Sequence, residues 1–174
     1  MPRTPKLRAA PLASPLRIVL VEPEIPPNTG AVARTAAATG SALHLVGKLG
    51  FRIDEQAVRR AGLDYWPLVD LHQHPDLGSF EKAHPEARLH LFTSNAPRSH
   101  LEMDIRPGDG LVFGKESVGL SAELLERYPE RVWAIPTLGP VRSLNLSNAV
   151  SIVVYEALRQ LGALDHPELQ DDAI

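Results

Sequence analysis

The feature that most constrains this chain is an alternation of two kinds of segment. "RIVLVE" (17–22), "ALHLVG" (42–47), "LHLFTS" (89–94), "GLVFG" (110–114) and "RVWAIP" (131–136) are short, aliphatic and β-branched, and read as buried strands. Between and after them lie helical stretches: about Thr29 to Thr39, "DEQAVRRAGL" (54–63), "SAELLERY" (121–128) and residues 145 to 162. Apolar strands separated by helices imply the α/β class: a mostly parallel sheet with helices on both faces. Asn28 suits the N-cap of the first helix and Gly40 its C-terminal stop. "SIVVYEAL" (151–158) is β-branched enough for a strand, but Val150, Val153, Val154, Ala157, Leu158 and Leu161 recur at helical spacing and predict helix.

With 174 residues the chain suits one domain, expected over 17–163. Residues 1–16 form a basic, Pro-rich flexible extension and residues 164–174 an acidic tail. The extension reads either as a solvated tail or as an arm touching RNA phosphates. The net charge of −3 argues against a strongly basic, sequence-blind nucleic-acid binder. With no cysteine, disulfides and thiolate zinc sites are excluded. No apolar run is long enough to span a bilayer, and the opening residues lack a signal-peptide core, so a cytoplasmic protein without membrane contact is expected.

Ligands of open α/β sheets bind at the carboxyl ends of strands. Three loops there stand out: "EPEIPPNTG", "FGKESVGLS" and "IPTLGPVRSLNLSN". Dinucleotide, P-loop and hydrolase-elbow signatures are missing. "HQH" at His72 and His74 offers two metal ligands without a third nearby in sequence, which favours a solvated loop and no metal. Gly114 and Gly119 allow unusual backbone angles and a close ligand approach, while Glu116 between them suits a cap or a polar contact. Ser143, Asn145, Ser147, Asn148 and Ser151 supply more small hydrogen-bonding groups than a helix start needs. Arg34 is the one charge on a helix otherwise built largely of Ala, Thr and Val.

Taken together, "IVLVEPEIPPNTGAVARTAAATG", "LHLVGKLGF", "RRAGLDYW", "LVFGKESVGL" and "RSLNLSNAVSIVVYEALRQLG" resemble the SPOUT class of RNA methyltransferases, and within it those acting on the tRNA wobble nucleotide. The likeness runs from about Arg17 to Gly162. It implies a fold with a C-terminal deep trefoil knot, a homodimer with a shared substrate site, S-adenosylmethionine as methyl donor, and 2′-O-methylation of the wobble cytidine or uridine in the tRNA anticodon loop. It places Asn28, Arg34 and Ser143 among the catalytic residues, and Phe92, Gly114, Glu116, Ile135, Ser143 and Asn145 at the cofactor. Arg34, Arg142 and Tyr155 fall toward the RNA or the dimer interface. Lys115 and Val118 stand where "GPETRGL" is common. The alternatives are another tRNA or rRNA nucleotide, a catalytically silent RNA-binding module, or an unrelated α/β enzyme.

Overall fold

In the computed structural model, residues 4–53 and 65–171 are described; the helix expected over 54–63 lies outside them. Six strands form one parallel sheet: β2 (Arg17–Val21), β3 (Ala42–Val46), β4 (Leu71–His74), β5 (Leu89–Phe92), β6 (Gly110–Phe113) and β7 (Val132–Trp133). Their order is β4-β3-β2-β6-β5-β7. Side chains alternate faces along each strand, and here both faces are apolar. Ile18, Leu20, Leu43, Leu45, Leu111, Phe113 and Phe92 enter one core, with helices α1 (Pro26–Thr39) and α4 (Leu146–Gln160). Val19, Val46, Leu91 and Val112 enter the other, with α2 (Leu77–Ala83) and α3 (Ala122–Arg127). The expected class, with helices on both faces, is the one observed.

Several boundaries differ from expectation for physical reasons. α1 starts three residues earlier than read, with Ile25 at the N-cap and no side-chain cap. Pro26 and Pro27 have no N–H to satisfy and fit the first helical turn, so no capping side chain is required. Asn28 is therefore inside the helix rather than its cap. Gly40 ends α1 in the left-handed conformation, φ 65°, as expected. β7 is shorter than "RVWAIP": beyond Trp133 the chain pairs through Ala134 with the Arg98–Ser99 segment. The ambiguous "SIVVYEAL" is helical and buries Val150, Val153, Val154, Ala157 and Leu158.

Two expectations from local sequence need revising. "HQH" belongs to β4, paired in parallel with β3, and is not a free loop. The basic and acidic ends, read as separate mobile tails, pair antiparallel as β1 (Lys6–Arg8) and β8 (Glu168–Gln170). Both were hidden because short polar strands carry almost no periodicity signal.

One buried polar network fixes the amino-terminal ends of β5 and β6. Asp109 is 2% exposed and accepts from Arg88 (2.7 Å) and from the backbone N–H of Arg106 (2.8 Å), and its carboxylate lies 3.0 Å from His90 Nε2. Trp133 Nε1 donates to His90 Nδ1 at 3.1 Å, so the imidazole proton sits on Nε2 and points at Asp109. Burial pushes the Asp109 carboxyl up, but hydrogen bonds from His90, Arg88 and Arg106 outweigh it and hold the pKa at about 2. A folded-state pKa below the unfolded value contributes stability above the ordinary carboxylate range and loses it as pH falls. Urea midpoints are thus expected to drop between about pH 4 and pH 2. An Asp109→Asn variant should be less stable at neutral pH and show a flatter acid profile.

Candidate active site

The three conspicuous loops meet at the carboxyl end of the sheet and enclose an open cavity of about 550 Å³, a size suited to a nucleoside-sized ligand. Its floor is aromatic: Phe92 and Phe113 stack at 4.9 Å between centroids, 15° from parallel, beside Trp133 and Ile135. Its rim is polar, carrying Thr93, Ser94, Asn95, Lys115, Arg142 and Ser143. Of the residues expected at the site, Asn28, Phe92, Gly114, Glu116, Ile135, Arg142, Ser143 and Asn145 all line this cavity. Arg34 and Tyr155 do not.

A hydrogen-bond relay explains why the loops converge. Glu116 accepts from the backbone N–H of Glu24 (2.8 Å) and Ile25 (3.1 Å) and from Asn28 Nδ2 (3.2 Å). Asn28 Oδ1 accepts from Asn145 Nδ2 at 3.0 Å. Asn145 also caps α4, its Oδ1 accepting from Ser147 N at 2.9 Å. One carboxylate and two amides thus join the starts of α1 and α4 to the loop after β6. Asn28 is 8% exposed, with both ends of its amide engaged in this relay. Glu116→Ala is expected to leave three donors short of a partner and to cost about 2–3 kcal/mol. Glu116→Gln, keeping one acceptor oxygen, should lose less, as thermal melts would register.

Two further contacts close the first loop on the second. Lys115 Nζ donates to Glu22 at 3.1 Å, and Glu24 accepts from both the N–H and the hydroxyl of Ser117 at 3.0 Å. The Ser117 hydrogen bonds hold the Glu24 carboxyl below its usual range. Glu22 occupies the left-handed region at φ 50°, uncommon for a residue with a side chain. Lys115, a departure from the common motif, thus pairs with the side chain of a residue held in this uncommon backbone conformation. Val118 is 73% exposed at the cavity rim.

Gly114 behaves differently from expectation. The space freed by its missing side chain is filled by the loop's own backbone: a Cβ there would overlap Gly119 and Leu120. Gly119, at φ 71°, donates to Lys115 O at 2.8 Å and folds the loop back.

Arg34 is exposed on α1, six residues beyond Asn28, or about 9 Å along the helix. Its guanidinium lies over the Tyr65 ring, 4.6 Å from the centroid. Tyr65 in turn donates its hydroxyl to Gly30 O on α1 at 3.0 Å. Tyr65 had no role assigned from sequence, although its place in "LDYW" marked it. α1 and α4 run side by side, linked by a 2.9 Å hydrogen bond between Thr35 and Ser151. Tyr155, one turn past Ser151, is 48% exposed.

This chain belongs to the SpoU rRNA methylase family: the family's model matches residues 15–155. A tRNA (cytidine(34)-2′-O)-methyltransferase from Escherichia coli strain K12 is 47% identical over 148 residues, covering 84% of this chain and 94% of the relative. A solved structure concerned with the 2-OH methylation of C/U34 on tRNA superposes with a TM-score of 0.80 at 50% identity, covering 85% of this chain and 97% of that one. The AdoMet-bound rRNA methyltransferase of Sinorhizobium meliloti shares the fold, with a TM-score of 0.75 at 24% identity over 88% of this chain and 62% of its own.

Proposed function

We propose that this chain methylates the ribose 2′-hydroxyl of the wobble cytidine or uridine, position 34, in the tRNA anticodon loop, with S-adenosylmethionine as donor. The observation that carries the reading is convergence: Asn28, Gly114, Glu116, Ser143 and Asn145 surround one cavity in a chain 47% identical to a relative named for that reaction. The cavity fits the cofactor chemically. The flat rings of Phe92 and Phe113 and the aliphatic Ile135 suit a base, and Thr93, Ser143 and backbone groups at the rim suit a ribose. When bound, S-adenosylmethionine supplies an electrophilic methyl group on a sulfonium. The chain must then hold the ribose oxygen in line, exclude water and stabilise the oxygen as it loses its proton.

Arg34 takes that last role. A guanidinium stays protonated near neutrality, which makes it a poor base and a good partner for a developing alkoxide or a phosphate. It lies outside the lining of its own subunit's cavity, so the reading includes a homodimer in which Arg34 completes a site shared between subunits. Exposed Ile152 and Tyr155 on α4 suit the interface. The C-terminal knot and a cytoplasmic location belong to the same reading; among the described residues no helix is long and apolar enough to cross a membrane.

The test is incubation with labelled S-adenosylmethionine and bulk tRNA, followed by mapping of the label. It should appear on the first anticodon nucleotide, with affinity falling steeply as salt rises. Label at another nucleotide, or no label on tRNA, would overturn the assignment.

A further inference from the structure

The opposite side of the sheet holds chemistry that the methyl-transfer site does not use. His44 on β3, His74 at the end of β4 and His84, just after α2, each offer a ring nitrogen, and these three atoms lie within 4.8 Å of one another. None of the three residues lines the cavity. Sequence spacing hid the group, because the parallel pairing of β3 with β4 is what brings His44 and His74 together. His84 is then delivered by the short helix that follows.

His44 is 1% exposed, and its Nδ1 lies 3.0 Å from His74 Nε2. Its own Nε2 is buried without a hydrogen-bond partner. The ring is packed against His72 (4.7 Å, stacked), Phe80 (4.9 Å, edge-on) and His84 (5.0 Å, edge-on). Burial, reinforced by the neighbouring imidazoles and Arg17, pushes His44 down to about 3. His74 and His84 are lowered as well, chiefly by burial. All three rings are thus neutral near pH 7, the form that donates a lone pair to a metal. Glu86, 3.9 Å from His84 Nδ1, adds one negative charge to the group, while Arg17 faces the same carboxylate at 2.7 Å.

We propose that His44, His74 and His84 form a three-imidazole site for a borderline divalent cation, Zn²⁺ foremost, serving as a structural staple between β3, β4 and α2. Imidazole sets select zinc, copper or nickel over magnesium or calcium. With Zn–N bonds of about 2.0–2.1 Å, ligand nitrogens in a tetrahedral site sit about 3.3 Å apart, close to the 3.0 Å already separating His44 and His74. The fourth position falls to water. The cation takes the place of the proton shared by those two rings, and that proton moves to the far nitrogen of its own ring, leaving the net proton count unchanged. His72, 44% exposed at its side chain and 2.8 Å from Asp70, stays outside the set.

The test uses full-length, tag-free protein stripped with a chelator and titrated with Zn²⁺ against a chromophoric competitor. One equivalent should bind with a Kd of micromolar or below, and melting should shift upward with added Zn²⁺. His84→Asn and His74→Asn change partly exposed residues, and each should weaken binding at least tenfold and abolish the melting shift. His72→Asn should leave both unchanged. Absence of stoichiometric binding, or unchanged affinity in both the His74 and His84 variants, overturns the site. Because the readout is metal affinity and melting, the result is independent of methyl transfer.

Discussion

Arg34→Ala is expected to lower kcat for methyl transfer to tRNA by at least about 100-fold, the scale of losing one preorganised donor to a developing oxyanion. Binding of S-adenosylmethionine should stay within about twofold, because Arg34 does not line the cavity. Isothermal titration together with single-turnover kinetics separates the two quantities. A large loss of cofactor affinity would move Arg34 from the ribose to the cofactor site. Tyr65 provides a companion measurement, since its ring lies under the guanidinium and its hydroxyl ties it to α1. Tyr65→Phe retains the ring and should keep most of the rate, whereas Tyr65→Ala frees the guanidinium and should lower kcat about tenfold. Arg34→Lys keeps the charge but not the planar fork, so its residual rate shows whether charge alone suffices.

Gly114→Ala should have the opposite signature. A methyl group there meets backbone, which cannot swing aside as a side chain does. The loop from Lys115 to Leu120 must open, at a cost of about 2–3 kcal/mol and a fall in Tm of roughly 5–10 °C. Since Gly114, Lys115, Glu116 and Gly119 form one wall of the cavity, cofactor affinity should drop at least tenfold, and turnover with it. A variant that melts normally and binds cofactor normally would mean that the loop closes by another route.

The sheet and most of the site were legible in the chain. Buried parallel strands are largely apolar runs, and β2, β3, β5 and β6 are such runs, broken only by His44 in β3 and His90 in β5. β4 was not, because "LHQH" is polar and becomes a strand only by pairing with β3. The start of α1 was misplaced because two prolines removed the donors that a capping residue serves. Phe92 was placed there by the family resemblance, and Ser143 by that resemblance together with its run of small polar residues at a helix start; both line the cavity. The division of labour among the cavity residues was not legible in the same way. That Asn28 bonds Glu116 and Asn145, and that Gly114 makes room for its own loop, depends on contacts spanning about ninety or more residues in the first case and on exact backbone packing in the second. Tyr65 beneath Arg34 is of the same kind, since only the folded chain sets the two side by side.

The pairing of Lys6–Arg8 with Glu168–Gln170 makes the polypeptide nearly a ring. Facing residues such as Leu7 and Leu169 sit one strand spacing apart, about 5 Å, although more than 160 positions separate them in sequence. Within the described residues, a short basic strand and a short acidic one therefore meet at a single place on the surface. A pair of optical labels placed there would report, as one distance, whether the ring is open or shut.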